Sequence, residues 1–377
     1  MKLAAITTQA ALAALMPEWE KLYYQTLTPN PFAHPQWMLT WACHYLKPSQ
    51  VYVLTVRDAH GALVAVAPLY RWRHRLGPLY LATSIHLFGA GHHTGLTELT
   101  QVLVRPSLER EVLRTIIQYL CRHAPSWDWL ELVLPPEQGW FEPQWLPEAG
   151  PGSGHFVLHK GTRACVLLPL PRSWDDLRSG LKRNLKESLR KGGNSLKRAG
   201  HAWEVTTPRD PDGLAAELAI LSRLHLARAQ VRDKVDHADH LGDPADRAFL
   251  RDVACRMFHA GHLTPCVLRI DGNPAAARLV LHANGATFFS ISGFDPRWWP
   301  YNAPTTLMAE CLRQAIARGD HVANLSPGPD VAKLRWSEQL AFYQEFLVAG
   351  PRRRSLWALA LFWLARAAHL IQRERRR

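Results

Sequence analysis

The sequence predicts an α/β protein whose two halves repeat one order of secondary-structure elements. Its 377 residues suggest two or three domains, at about 150 residues per domain. The composition, 47% hydrophobic and 20% charged, is that of an ordinary globular protein and excludes wholesale disorder. A hairpin, a further strand, an amphipathic helix and a strand follow one another twice along the chain. This order predicts an internal duplication.

The first half contains the first copy of this order. Its predicted elements are helices over 10–25 and 36–46, a hairpin of Val51–Val56 and Leu63–Tyr70, a helix over Leu108–His123 and a strand over Trp129–Leu134. Pro135 and Pro136 end that last strand. The Pro-, Gly- and Ser-rich stretch Gly150–Gly154 predicts a linker after it.

The second half begins with an additional helical region and then repeats the order. Its predicted elements are helices over Trp174–Ala199, Leu214–Val231 and Arg247–Ala260, a hairpin of Cys266–Ile270 and Ala275–His282, strands over Ala286–Gly293, His321–Ser326 and Phe342–Val348, and a helix over Thr305–Arg318. We therefore expect an N-terminal lobe over 1–155, a C-terminal lobe over 156–350 and a tail helix over 351–377.

The positive charge of the chain is confined to two segments. The formal net charge is +13, and residues 172–209 and 351–377 account for all of it. Local basicity favours a phosphate-bearing, nucleic-acid or anionic-lipid partner, while a solvated helix face explains the first segment equally well. The tail places three arginines before an apolar run of about ten residues, too short to span a bilayer. A helix at an anionic inner-leaflet surface and a helix docked on its own lobe both fit this pattern.

The cysteines and the N-terminus indicate a cytoplasmic protein. Six Cys are scattered without a C-x-x-C pair, as expected of free thiols in a reducing compartment. Thr7 and Thr8 interrupt the apolar start of the chain, and no cleavage site typical of a signal peptide follows. We therefore expect a cytoplasmic location, with peripheral attachment to the inner face of the membrane if the tail binds lipid.

Other chemistries lack support in the sequence. His86, His92 and His93 lie close together, but no nearby Cys or carboxylate completes a zinc set, so no metal is expected. Walker, dinucleotide-binding and Gly-x-Ser-x-Gly motifs are absent from the sequence.

Four segments of the second half carry a resemblance to a known family. They are Trp174 with Leu181–Lys186 and Arg190-Lys191, then Leu224-His225 with Arg228, then Leu268–Leu281 with Phe288–Pro296, and finally Asn324–Gly328 with Lys333 and Trp336. In this order the segments resemble the BioF2-like or CelD-like acetyltransferases, a branch of the GNAT acyl-CoA N-acyltransferases. Phe32–Trp37 resembles the corresponding opening motif of the first half.

The resemblance implies two tandem GNAT-like lobes, each a mixed central sheet flanked by helices, as in the FemABX peptidyltransferases. It implies that acetyl-CoA, or another acyl-CoA, lies between strands 286–293 and 321–326, against the strand edge at Ser290, Ile291 and Ser292. The donor phosphates are then expected at the start of the next helix, where Thr305 and Thr306 would cap it and add hydroxyl donors. The glycine-rich loop usual in GNAT enzymes is missing at 301–306.

Acyl transfer to an amine requires a base and a proton donor for the leaving thiolate. Asp295 is the candidate base and Tyr301 the candidate proton donor; an Asx-turn and a groove-lining aromatic are the structural alternatives. Lys333 is a candidate phosphate-binding residue or a surface charge. The candidate substrate-binding residues are His225, Arg228, Lys182 and Arg183. His225 and Arg228 lie three positions apart and share a helix face.

Three functions remain open from the sequence. The first is N-acetyl transfer from acetyl-CoA to an amine, with an amino sugar or an envelope or exopolysaccharide precursor as acceptor. The second is FemABX-like transfer from aminoacyl-tRNA, supported by the basic helix 174–199. The third is a catalytically degenerate scaffold held at the membrane by its tail.

Overall fold

The protein is an α/β protein in which helices flank the sheets, as the sequence predicts. The computed structural model describes residues 1–26, 30–92, 96–123, 127–136, 157–231, 238–350 and 354–364. The predicted linker Gly150–Gly154 lies outside these residues.

The first half of the described chain alternates short helices with strands. Its elements are β1 (Lys2–Ile6), α1 (Gln9–Ala14), α2 (Met16–Tyr23), α3 (Pro35–Tyr45), β2 (Val53–Arg57), β3 (Leu63–Ala67), β4 (Leu69–Leu76), β5 (Leu79–Leu87), β6 (Leu103–Val104), α4 (Glu109–His123) and β7 (Trp129–Leu134).

The second half contains the longer helices and strands. Its elements are β8 (Val157–Pro169), α5 (Trp174–Gly180), α6 (Arg183–Arg198), β9 (Trp203–Thr206), α7 (Pro211–Ala229), α8 (Pro244–His259), β10 (Leu263–Ile270), β11 (Asn273–Ala283), β12 (Ala286–Phe294), α9 (Ala303–Arg318), β13 (Val322–Pro327), α10 (Val331–Leu334) and β14 (Gln339–Ala349), followed by helix α11 over 354–364.

The chain divides into two compact units that are interleaved in sequence. The first unit consists of Met1–Thr28, Tyr45–Arg163 and Phe342–Arg377, and the second consists of Pro29–His44 and Ala164–Ala341. The opening motif Phe32–Trp37 therefore belongs to the second unit, where Trp37 packs edge-on against Phe249 of α8. The predicted domain boundaries at 155 and 350 stay a prediction.

The first unit contains an antiparallel sheet in the order β1-β2-β3-β6 and a mixed run of strands β4-β5-β7-β14. Within that run β5 and β7 are parallel, with Ser84 opposite Trp129 and His86 opposite Glu131. Helix α4 connects this parallel pair along the chain. A buried apolar side, including Val112, Ile116 and Leu120, explains the helical spacing seen in its sequence.

The second unit repeats this arrangement with the strand order β8-β13-β12-β11-β10-β9. Its parallel pair is β12 and β13, joined through α9. The predicted turn of the preceding hairpin is confirmed, because Asp271 and Gly272 both have positive φ, at 50° and 76°. Helix α9 ends where the sequence predicts, at Gly319 in the left-handed conformation with φ of 88°.

Candidate functional site

The parallel pair β12 and β13 opens after only three register positions. Ala286 lies opposite Val322, Thr287 opposite Ala323 and Phe288 opposite Asn324, and the parallel pairing ends there. Both strands continue beyond that point, β12 to Phe294 and β13 to Pro327. The predicted donor edge at Ser290–Ser292 therefore lies past the end of the parallel ladder.

Bulges in both strands explain why the ladder ends. Against β11, Phe289 pairs with Val280 and Ser292 with Arg278, so β12 carries one extra residue between these positions. In β13 the register against β8 shifts between Asn324 and Pro327. Ser326 lies in this shift with φ of 74°, a rare conformation for a non-glycine residue. Because a bulge bends its strand and increases its twist, two bulges at one point separate the strands.

Side chains bind the main chain of β12 at both ends of its bulge. The hydroxyl of Ser326 donates to the carbonyl of Phe289. The carbonyl of Ser292 accepts from Nδ1 of His225 at 2.9 Å and from the Arg228 guanidinium at 3.3 Å. Arg228 also donates to the Ser292 hydroxyl at 3.1 Å. The structure thus brings the predicted His225–Arg228 pair to the predicted donor strand.

His225 is held as a neutral imidazole. Its Nδ1 donates to the Ser292 carbonyl, so its Nε2 is left to accept the hydrogen bond from the backbone N–H of His240 at 3.1 Å. Burial lowers the pKa of His225, and the bond to Ser292 opposes this only in part. Both ring nitrogens are engaged, so His225 fixes α7 against the bulge.

Arg228 brings a cation to the same place. Burial lowers the pKa of its guanidinium, and the nearby Asp330 opposes that shift. A guanidinium stays charged in proteins even when buried. The bulge of β12 is therefore flanked by a fixed positive charge, which suits a developing oxyanion or a phosphate.

Asp295 caps the turn that follows β12. Its carboxylate accepts from the backbone N–H of Arg297 at 3.0 Å and from the guanidinium of the same residue at 2.6 Å. The hydrogen bonds from Arg297 lower the pKa of Asp295. The Asx-turn considered from the sequence is therefore present, and its role as a base stays a prediction.

Tyr301 packs among aromatic rings in the same turn. Its ring lies 5.5 Å from that of His201, edge to face, and 5.7 Å from that of Trp298. These ring contacts agree with the alternative in which Tyr301 is a groove-lining aromatic residue. The role of Tyr301 as a proton donor stays a prediction.

The start of α9 differs from the sequence prediction. The helix begins at Ala303, with Asn302 at the N-cap position, so the expectation that Thr305 and Thr306 cap it was wrong. The backbone N–H groups of both threonines donate to the carbonyl of Asn302 at 3.0 Å, and Pro304 has no N–H to offer. This helix terminus therefore offers few donors to a phosphate, and binding at Thr305 and Thr306 stays a prediction.

The remaining predicted cations lie on the surface of the same unit. The ammonium of Lys333 donates to the carbonyls of Pro327 and Gly328 at 2.6 and 2.9 Å, closing the loop after β13. Lys182 donates to Glu338 at 2.5 Å. Arg183 forms an ion pair with Glu187 at 3.0 Å while remaining almost fully exposed. Their proposed ligand contacts stay predictions.

The histidine group of the first half lies in the first unit. His86 is buried, and its Nε2 forms a hydrogen bond with the Ser84 hydroxyl at 2.6 Å. Its ring lies edge-on to that of His92, with 5.4 Å between the ring centroids. Burial lowers the pKa of His86 to about 4. His93 lies outside the described residues. Within the described ranges, no group of three or more His, Cys, Asp or Glu residues is arranged to hold a metal ion.

A polar pocket in the first unit was not predicted from the sequence. Its lining includes Gly89–Gly91, Glu131, Lys160, Arg163 and Glu345. Lys160 bonds Glu131 at 2.9 Å, and Arg163 bonds Glu345 at 2.7 Å. These four residues come from β7, β8 and β14, far apart in the sequence, so no local motif signals the pocket.

The family comparison agrees with this geometry. Residues 183–334 match the acetyltransferase (GNAT) domain family. This range covers α6 to α10, including the bulged strand pair and α9. Residues 183–334 are therefore similar to a GNAT acetyltransferase domain, in agreement with the GNAT resemblance inferred from the sequence.

Solved structures share the fold along nearly the whole chain. FemX superposes with a TM-score of 0.61 at 12% identity, covering 91% of this chain and 97% of that one. A conserved protein of unknown function from Bacteroides thetaiotaomicron gives 0.54 at 14% identity, covering 89% and 96%. The C-terminal domain of a putative lysylphosphatidylglycerol synthetase from Agrobacterium fabrum gives 0.52 at 13%, covering 93% and 95%. No curated protein sequence matches the chain. At these identities the likeness shows a shared fold.

Proposed function

We propose that the protein is an acyl-CoA-dependent N-acyltransferase that transfers an acetyl group from acetyl-CoA to an amine. The observation that carries this proposal is the early end of the β12–β13 ladder. The extra residue of β12 leaves Ser290–Ser292 beyond the parallel pairing, where the amide-bearing pantetheine arm of CoA can add to the strand edge.

The second element of the proposal is the cation beside that edge. Arg228 lies within hydrogen-bond distance of both the carbonyl and the hydroxyl of Ser292. A thioester bound along the bulge would meet this guanidinium, which stabilises negative charge as the amine attacks. His225 fixes the helix that carries Arg228, because its Nδ1 also binds the Ser292 carbonyl.

The third element is a carboxylate at the end of the same strand. Asp295 follows Phe294 directly, and its side chain is mostly buried beside Arg297. An ionised carboxylate at this place can orient the ammonium of an acceptor and take its proton. The acceptor class we propose is a small or glycan-borne amine, such as an amino sugar of an envelope or exopolysaccharide precursor.

Calorimetry and a thiol-release assay test the proposal. We expect acetyl-CoA to bind, and free CoA thiol to appear when acetyl-CoA and pooled amines are added together. Arg228→Gln should lower kcat/KM by about a hundredfold, since one oxyanion donor is worth that much. Arg251→Gln, at an exposed position of α8, is the matched control and should leave the rate unchanged. Absence of acetyl-CoA binding by the folded protein would refute the proposal.

A second candidate function rests on the exposed charge of α6. Arg183, Arg190 and Lys197 are exposed and recur every seven residues, so they form one basic stripe along this helix. Such a stripe fits the phosphates of a tRNA, as the FemABX-like alternative requires. Salt-sensitive binding of tRNA, without heat from acetyl-CoA, would favour this function; binding of neither ligand would favour a degenerate scaffold.

A further inference from the structure

Exposed large apolar side chains are concentrated on two short elements of the first unit. Of seventeen such residues in the described part of the chain, eight lie on the β4–β5 hairpin or on α11. They are Leu76, Leu79, Tyr80 and Leu81 on the hairpin, and Leu356, Trp357, Leu361 and Leu364 on the helix. These eight residues are called the hairpin–helix surface below.

Helix α11 is apolar on two sides and buries only one of them. Leu359 joins a core cluster with Ala82 and Trp129, and the ring of Phe362 packs at 5.4 Å from that of His74 on β4. The docking alternative considered for the tail is therefore observed for residues 354–364. The opposite side, Trp357, Leu361 and Leu364, follows helical spacing and is 71, 65 and 67% exposed.

The tip of the hairpin supplies the second part of the surface. Leu76 pairs with Leu79 across a turn at Gly77, and the two side chains are 70 and 60% exposed. β4 is an edge strand of its sheet, and an isolated bridge between Val51 and Tyr70 covers its outer side only at its start, away from the hairpin tip. Because Phe362 of α11 contacts His74 of β4, the hairpin and the helix are adjacent within one unit.

Positive charge accompanies both elements. Arg73 and Arg75 are exposed on β4 close to the leucines of the tip, and Arg354 is about half exposed at the start of α11. In the sequence, residues 365–377 add five arginines and one glutamate after the helix. Apolar side chains with a tryptophan, bordered by arginines, match the interface of an anionic bilayer, where the rings and leucines enter and the arginines meet phosphates.

We propose that the hairpin–helix surface binds an anionic lipid bilayer, with α11 lying parallel to the membrane plane and the hairpin tip inserted beside it. A second copy of the chain fits this surface less well. A symmetric contact would place each exposed apolar patch against its own image and bring like-charged arginines together. The proposal adds the hairpin as a second membrane contact beyond the tail, and it does not depend on the acyltransfer reaction.

Vesicle co-sedimentation of the full-length chain tests this proposal. We expect the protein to sediment with phosphatidylglycerol–phosphatidylcholine vesicles and to remain in the supernatant with phosphatidylcholine alone. Leu79→Glu on the hairpin and Leu361→Glu on the helix should each weaken binding by about tenfold, because each places a charge among the lipid chains. Val331→Glu, at a site in the second unit that is 79% exposed, is the matched control and should bind as the unmodified protein does.

Thermal unfolding of each variant establishes that these exposed substitutions leave the fold intact. The proposal is overturned if the unmodified protein ignores anionic vesicles, or if Leu79→Glu binds as tightly as Val331→Glu. A concentration-dependent dimer that Leu361→Glu abolishes, without vesicle binding, would show instead that the surface pairs with a second copy and would likewise overturn it.

Discussion

The main chain of Gly293 in β12 lies directly against the main chain of His225 in α7. A Cβ atom placed on Gly293 would lie 2.2 Å from the backbone nitrogen of His225 and 2.3 Å from the carbonyl carbon of Leu224. No side chain can yield to relieve this contact, because both neighbours are backbone atoms. The absence of a side chain at Gly293 is therefore what allows α7 to bring His225 and Arg228 to the bulge.

Gly293→Ala should be severely destabilising for that reason. We expect the free energy of unfolding to fall by more than about 3 kcal/mol, since the helix must move away from the strand. Urea denaturation measures the loss. Gly180→Ala, where a Cβ meets no atom within 4 Å, is the control and should change stability little. Equal stability of the two variants would show that α7 does not depend on this close approach.

Neighbouring glycines in α6 offer a second matched pair. Gly193→Ala should stabilise the protein by about 0.5–1 kcal/mol, because alanine favours a helix interior and its Cβ enters open space. Gly192→Ala should show no such increase in stability, since its Cβ would lie 3.1 Å from the Tyr301 carbonyl oxygen and 3.3 Å from Thr306 Oγ1. Denaturation midpoints compare the two. A larger gain for Gly192→Ala would mean that α6 is not held against the start of α9.

Three buried histidines should make the protein less stable in mild acid. Burial lowers the pKa of His34 and His282 to about 3 and that of His86 to about 4, against 6.5 in an unfolded chain. Below pH 6.5 the unfolded chain binds more protons, so stability falls as the pH is lowered. Between pH 7.5 and 5.5 each histidine should cost about 1.4 kcal/mol.

Denaturant titrations at the two pH values check this expectation. His86→Gln should remove about 1.4 kcal/mol of the pH-dependent loss, whatever its effect on stability at pH 7.5. His60→Gln, at an exposed histidine, should leave the loss unchanged. A stability that is constant across this range would mean that these imidazoles are not buried as neutral groups.

The pH dependence of the proposed reaction should report on Asp295. Arg297 lowers the pKa of this carboxyl, so Arg297→Ala should raise it and move the acidic limb of the rate profile to higher pH. Asp295→Asn should lower kcat by about a hundredfold or more if the carboxylate takes the proton of the amine. If Asp295 acts only as the cap of the turn, Asp295→Asn should retain both kcat and most of the stability, because the Asn side-chain oxygen can still accept from the backbone N–H of Arg297.

Local signals in the sequence predict much of this fold. The strand Trp129–Leu134 has the predicted bounds, and the Asp271-Gly272 turn and the Gly319 helix end follow from residues that tolerate positive φ. Helix α6 runs without interruption through Gly192 and Gly193. Packing of Leu185 and Leu196 into the core of the second unit outweighs the low helix propensity of the two glycines.

The site was predictable only in part. From the sequence, Ser290–Ser292 are predicted to bind the donor, and His225 and Arg228 to bind the substrate. In the structure both His225 and Arg228 form hydrogen bonds with Ser292. The bulge that separates β12 from β13 depends on register against two partner strands, which no local pattern specifies. The pairing of Lys160 with Glu131, and of Arg163 with Glu345, likewise joins residues too distant in sequence to signal one another.

The interleaving of the two units has a consequence for synthesis on the ribosome. The first unit includes β14 from Phe342 onward, whose residues Gln344–Ala349 pair with β7. During synthesis, the sheet of the first unit can therefore gain this last strand only after nearly the entire polypeptide has been made. Meanwhile Pro29–His44 must find partners that emerge more than a hundred residues later. We therefore expect that neither half of the chain folds on its own when it is expressed as a contiguous fragment.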